Sequence, residues 1–280
     1  MDEDDRVPQA LDPAEQRQAD DAATLRPHVV HEVVREEGEV ELRRSAYALA
    51  WSGFAAGGSM GFSFLALCML RSGLPDEPWR RLVEGFGYSL GFVIVILGRQ
   101  QLFTESTLTA VLPALTSRTL RSVLATLRLW GIVLGANLLG TFLFAALIRP
   151  PGLFTPEMHQ ALLDVARASV SESFGPTLLK AILAGWLIAL MVWLLPNARA
   201  ARLWVIILLT YIVSIGHFSH IIAGSSEAFF AVFTGQASAH AYFMHFLIPT
   251  LLGNTIGGVT LVALLNHAPV AEELAEAGEP

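Results

Sequence analysis

The chain has 280 residues, 53% hydrophobic and 15% charged, with a net charge of −7. A mean hydropathy of +0.52 excludes the ordinary soluble globular class. The negative charge comes largely from MDEDD at the start and EELAEAGE near the end, so nucleic acid is not an expected partner.

Residues 1–45 read as an acidic tail. Up to about residue 27 the composition predicts disorder. From His28 to Arg44, HVVHEVVREEGEVELRR has helical spacing. It is either an amphipathic helix on a membrane or beneath a pore, or a solvated lead-in. No basic start precedes an apolar run in the first 40 or so residues, so no cleavable signal peptide is expected. Residues 46–266 hold six segments close to the roughly 20 apolar residues that a spanning helix needs. They are Ala46–Leu70, Gly85–Leu115, Ser122–Ile148, Leu178–Leu195, Leu203–Phe233 and Tyr242–Leu265. Between the third and fourth, PEMHQALLDVARAS predicts a short amphipathic helix with Thr155 as N-cap before Pro156. Gly53, Gly57, Gly61, Gly131 and Gly135 recur at spacing four, which predicts close helix packing. Residues 267–280 form a second acidic tail. The lone Cys68 excludes an intrachain disulfide.

The second and fifth segments are interrupted. GFGYSLGFVIVILG gives way to RQQLFTEST before LTAVLPAL, and RLWVIILLTYIVSIG gives way to HFSHIIAGSSE before AFFAVF. Lipid offers backbone amides no partner, so a spanning helix breaks only where protein or a polar cavity surrounds it. Asn137-Leu-Leu-Gly140 in the third segment matches Asn254-Thr-Ile-Gly257 in the sixth, 117 positions on. Phe103-Thr104-Glu105 pairs with Phe218-Ser219-His220 at 115. Three helices followed by three more insert in opposite senses. The pattern therefore predicts an all-α membrane protein, an inverted 3+3 repeat whose broken helices 2 and 5 meet near mid-membrane, as in transporters.

Arg99, Glu105, His217, His220 and Glu227 lie in or beside these breaks. An ionised side chain at bilayer depth costs roughly 2.5–3.5 kcal/mol, so such residues face a cavity. His220 is the leading pore residue because imidazole titrates near neutrality; the competing role is a donor to the exposed carbonyls of the break. His217 reads as structural. Thr104 either bonds across to the His220 segment or caps the helix of TESTLTAV. Leu102, Phe103 and Phe218 could form a dry collar, or simply pack. Arg99 either pairs with Glu105 or offers anions a fixed positive potential, and Glu227 could pair with Arg99 or His220. His217, His220 and Glu227, or His240 and His245, are too loosely spaced to predict a metal. No cofactor motif or catalytic constellation stands in a usable context, so no enzyme is expected.

LFTEST after the broken second helix, NLLG in the third, FSHIIA in the fifth and GNTIGG in the sixth resemble the formate/nitrite transporter family over roughly Arg44 to Asn266. The LGRQQLFTE wording and the acidic N-terminal tail look most like its YfdC-like branch. The resemblance implies an aquaporin-like protomer with its own pore, assembled as a homopentamer. It implies passage of small monovalent weak-acid anions past a central histidine, matched by His220, which faces a threonine matched by Thr104. The apolar constrictions map onto Leu102 and Phe103, and onto Phe92 and Val213. The chain departs from the family pattern in having Ser219 for a Glu, Gly224 and Gly185 for two Asn, and Ser169 for a Lys, with Arg167 close by.

The leading expectation is thus a channel-like transporter of small monovalent weak-acid anions, coupled to a proton through His220. The alternatives are a neutral small-solute channel and a closed membrane scaffold or sensor. Arg6, Arg17, Arg26, Arg35, Arg43, Arg44, Arg118, Arg121, Arg128, Arg199 and Arg202 would share one side, against Arg71, Arg80, Arg81, Arg149, Arg167 and Lys180. The positive-inside rule then puts both termini in the cytoplasm of a cell (inner) membrane.

Overall fold

The computed structural model describes residues 12–14, 24–264 and 270. The expected disorder of the first residues, the 267–280 tail and Leu265 at the end of the sixth segment fall largely or wholly outside the described residues. Regular structure among the described residues is helical throughout.

Helix α1 (Pro27–Arg43) begins on a proline, whose missing N–H costs nothing in the first turn. It buries Val30, His31, Val34 and Gly38. On its outer face Arg35 pairs with Glu32 and Glu39, and Arg43 with Glu39 at 2.6 Å. Contact at Gly38 is so close that a Cβ there would lie 1.8 Å from the Thr109 carbonyl oxygen. This segment is a docked helix, not a solvated lead-in.

Helix α2 (Ala46–Gly73) is capped by the Ser45 hydroxyl, which accepts from the Ala48 N–H. It is followed by α3 (Arg80–Leu97), α4 (Phe103–Thr109), α5 (Val111–Ser117) and α6 (Leu120–Ile148). Thr155 caps α7 (Pro156–Ser169) as the sequence predicts, accepting from the Met158 N–H at 3.3 Å. Then come α8 (Phe174–Ala198), α9 (Arg202–Ile215) and α10 (Ile221–Phe233). The last helix, α11, occupies residues 239–264. Its α turns at Ala239–Ala241 and Ile248–Thr255 alternate with wider π turns at Tyr242–Leu247 and Ile256–Leu264.

The 28 residues of α2 reach about 42 Å at 1.5 Å each, more than a hydrocarbon core of about 30 Å. By length and apolar composition α2, α6 and the run Phe174–Ile215 can each cross a membrane. That run turns at Arg199, which takes φ 42, and α9 packs back on α8. Trp51, Leu127, Leu147, Leu179 and Trp204 stay exposed on the outside, a surface suited to lipid and not to water.

Two triplets organise the interior: α2 packs on α3 and α6, and α8 packs on α9 and α11. Phe64, Phe92, Phe230 and Phe246 are fully buried between them. In the first triplet Gly57 meets the Asn137 backbone, where a Cβ would sit 2.1 Å from its oxygen. Gly53 and Gly61 also face α6, as expected. Gly131 and Gly135 do not share that role, since nothing lies within 4 Å of either. The helical period turns them away from α2, and Asn137 and Gly140 take the contact instead.

Candidate functional site: a buried histidine and threonine between two cavities

Within the second and the fifth apolar segments the chain leaves helix in the same way. Helix α3 ends at Gly98, followed by Arg99 at φ 50, and α9 ends at Gly216, followed by His217 at φ 50. The Gln100 N–H returns to the Val95 carbonyl at 2.9 Å, and the Phe218 N–H to the Val213 carbonyl at 3.0 Å. These left-handed C-terminal turns satisfy carbonyls that a severed helix would leave bare.

One asparagine fastens each break. Asn137 Nδ2 donates to the carbonyls of Gly53 (2.7 Å) and Gln101 (2.9 Å), while its Oδ1 accepts from the Phe103 N–H at 2.9 Å. Asn254 Nδ2 donates to Ala181 (2.8 Å) and Ser219 (2.9 Å), while its Oδ1 accepts from the Ile221 N–H at 2.8 Å. Phe103 therefore corresponds to Ile221, and Leu102 to His220, with a separation of 118 positions. The match of Phe103-Thr104-Glu105 to Phe218-Ser219-His220 at 115 is out of register by three residues. Letter similarity drew it, whereas backbone hydrogen bonding sets the true correspondence. In the sequence, the NxxG setting shared by Asn137 and Asn254 is the signal for the clamp.

His220 is 1% exposed and serves as N-cap of α10. Its Nδ1 accepts from the Ala223 N–H at 3.2 Å, so the ring proton sits on Nε2, 2.8 Å from Thr104 Oγ1. Nε2–H donates, leaving the threonine hydroxyl proton for another acceptor. Thr104 is inside α4 and does not cap it; Leu102 is the N-cap and supplies no side-chain bond.

A cavity of about 350 Å³ reaches His220 from one side, and a second of about 600 Å³ lies beneath α1. They share no lining residue. Glu105 borders the second, and buried Thr104 borders neither. Among the apolar candidates, Leu102, Phe103 and Phe92 are buried outside both cavities, and Val213 and Phe218 line the first. Phe92 meets the His220 ring edge-on with centroids 4.9 Å apart, and Phe103 packs on Trp130 at 5.7 Å.

The charges fall differently from expectation. Arg99 is exposed and pairs with Glu37 of α1 at 3.2 Å, not with Glu105. Docking of α1 brings Glu37 there, a contact that no local spacing reveals. Glu227 pairs with neither Arg99 nor His220; it lines the first cavity together with Ser219, His217 and Arg81. His217 Nε2 lies 3.3 Å from Arg81 Nη1, and since guanidinium only donates, this nitrogen is the acceptor. Beneath α1, Glu41 accepts from Gln101 Nε2 at 3.1 Å and Thr109 Oγ1 at 2.6 Å. Burial raises the Glu41 carboxyl above its ordinary range. No three His, Cys, Asp or Glu side chains gather as a metal requires among the described residues.

Two departures from the family pattern acquire a cause. A Cβ on Gly185 would lie 2.3 Å from the Asn254 carbonyl oxygen, and one on Gly224 would lie 2.7 Å from the Phe246 ring. Asparagine fits neither place without displacing the clamp or the ring.

Helices around a buried polar pair, inside an apolar shell, define a membrane protein with a channel-like interior. A family model described as formate/nitrite transporter matches residues 28–268, and the chain belongs to that family. It is 42% identical over 259 residues to the inner membrane protein YfdC of Escherichia coli K12, covering 91% of this chain and 82% of that protein. The formate channel FocA of the same organism is 26% identical over 266 residues, covering 86% and 92%. Among solved structures, a pentameric formate channel with formate bound superposes with a TM-score of 0.70 over 80% of this chain and 96% of its own. An FNT family ion channel does so at 0.77 over 86% and 98%. At 22% and 20% identity these two matches speak for the fold alone.

Proposed function

We propose that the protein is a channel-like transporter of small monovalent weak-acid anions, of the formate and nitrite class, with His220 and Thr104 as its filter. The observation that carries this reading is the 2.8 Å His220–Thr104 hydrogen bond, buried between two separate cavities. A solute crossing from one cavity to the other meets an imidazole–hydroxyl pair and otherwise apolar walls. Leu102, Phe103, Phe92, Val213 and Phe218 supply those walls and would gate by excluding water. Ser219 and Glu227 line the approach on the His220 side, and Arg99 and Glu105 the approach under α1.

In this reading α2, broken α3–α5, α6, α8, broken α9–α10 and α11 are six spans, the second three inserted opposite to the first. The two asparagine clamps, with matching bonds at both breaks, support that repeat. Five copies surround a common axis, each with its own pore, in an inner membrane with both termini cytoplasmic. Gly131 and Gly135, facing outward without neighbours, leave a flat strip on which another protomer can lie.

A second reading, a neutral small-solute channel, draws on the absence of an ion pair to Glu105 and Glu227 among the described residues. Unneutralised carboxylates repel anions, so the charged solute has to be neutralised before it crosses. Proton coupling at His220 itself would cost its cap bond, because both ring nitrogens are engaged.

The test is reconstitution in liposomes, with uptake of formate, nitrite and acetate measured at pH 5.5 and 7.5. Saturable uptake with mutual competition, reduced at least tenfold in His220→Asn, is expected. Flux of neutral solutes with no anion competition would transfer the assignment to the second reading.

A further inference from the structure

We infer that Glu227, and not His220, is the group that exchanges a proton with the solute on the His220 side of the filter. This rests on the transport reading above. Three observations lead to it.

The first is that His220 has no free nitrogen. Nδ1 holds the Ala223 N–H of α10, and Nε2–H points to Thr104. A second proton on Nδ1 would set two donors against each other and uncap α10 inside the protein.

The second is position. His220, Gly224 and Glu227 recur at i, i+4 and i+7 and line one cavity. Gly224 brings no polar side chain between imidazole and carboxyl, and the Phe246 ring packs on it, 2.7 Å from where a Cβ would lie.

The third is that Glu227 makes no hydrogen bond or ion pair among the described residues, whereas its neighbours are committed. Arg71 and Arg80 both reach Glu84, at 3.1 and 3.7 Å, and Lys180 pairs with Glu172. Around Glu227 stand Cys68 and Arg71 of α2, Glu84 and Tyr88 of α3, and Asp164 of α7. Tyr242 of α11 lies by Ser225 of α10, and Glu105 of α4 faces the other cavity. Arg71 in this set is held by Glu84, and Arg81, which lines the same cavity, reaches His217 at 3.3 Å.

A protonated Glu227 therefore donates to an incoming anion. Its O–H bond breaks, an O–H bond forms on the anion, and the neutral acid passes Thr104 and the apolar walls. The carboxylate left behind takes its next proton from water in the cavity, and the sequence runs backwards for export.

The experiment is formate uptake into liposomes between pH 5.5 and 7.5 for the wild type, Glu227→Gln, Glu227→Asp and His220→Asn. With an internal donor the wild-type rate changes gently with pH. Without it, uptake in Glu227→Gln follows only acid already protonated in bulk and falls about tenfold per pH unit. His220→Asn loses rate but keeps the gentle profile, and Glu227→Asp keeps a donor with a moved midpoint. A wild-type profile in Glu227→Gln, or a steep one confined to His220→Asn, overturns the inference and leaves transport standing. No anion flux in the wild type overturns the transport reading and this inference with it. Should Glu227→Gln fail to assemble, Glu227→Asp decides, an unmoved midpoint counting against.

Discussion

The two breaks are the same backbone with different chemistry. Leu102 sits at φ −111, ψ 129 and His220 at φ −109, ψ 127, each just ahead of an N–H held by an asparagine. Yet Leu102 gives its helix no side-chain bond, while His220 caps its own and reaches Thr104. The surroundings differ as well: the first break lines a cavity beneath α1, which reaches it through Glu41 and Glu37, while the second lines a cavity bordered by Glu227. Two matching asparagine clamps thus hold unlike sites. Each clamp satisfies backbone groups that leaving the helix would strand, and the residue placed between clamp and helix determines the local chemistry.

That comparison can be broken most forcefully at the clamps. Asn137→Leu and Asn254→Leu each strand one carbonyl and one N–H of the break, at about 1–3 kcal/mol apiece, and cut the tie to a carbonyl of α2 or α8. Both variants should lose the folded oligomer on size-exclusion chromatography or melt far below the wild type. A mild effect at one site and collapse at the other would end the equivalence of the two breaks.

The caps test the asymmetry more gently. His220→Ala should lower stability by about 1 kcal/mol through the lost cap, beyond the loss from side-chain volume. Leu102→Ala should show the volume loss alone. Thermal melts of both variants beside Thr104→Val separate the cap bond from the cross-break bond; equal losses in a volume-matched comparison would deny His220 its capping role.

The smallest effect concerns the cover on the first break. Burial raises the carboxyl of Glu41 from the ordinary 4.5, so docking favours the protonated form. Its contribution is complete below 4.5 and disappears as pH climbs through the raised value. Hydrogen exchange in α1, corrected for intrinsic rates, should therefore speed up a few-fold toward alkaline pH, and Glu41→Gln should flatten the trend. An acceleration toward acid pH would reverse the sign and refute the assignment.

Much of the architecture was legible because hydropathy and helix signals are local. The apolar runs Ala46–Gly73, Leu120–Ile148 and Phe174–Ile215 and the Thr155 cap before Pro156 follow from short stretches of chain, since spanning length and capping are set within a few turns. The family-linked pair His220 and Thr104 was named from the motifs that carry them. What remained hidden depended on partners distant in sequence. Arg99 faces Glu37, 62 positions back, and not the nearby Glu105. Gly131 and Gly135 share the spacing of packing glycines but face outward, because the direction of a helix face is fixed only when its neighbour is in place.

By itself, then, the sequence determined that this is a membrane protein with polar residues gathered within its apolar segments. The cost of exposing such groups to lipid draws them to the protein interior. Tertiary structure alone decided the register of the breaks, the tautomer of His220 and the isolation of Glu227. The register and the isolation depend on which distant segments come together, and the tautomer on the cap bond of His220 to the Ala223 N–H, and letters carry no geometry until the chain has folded.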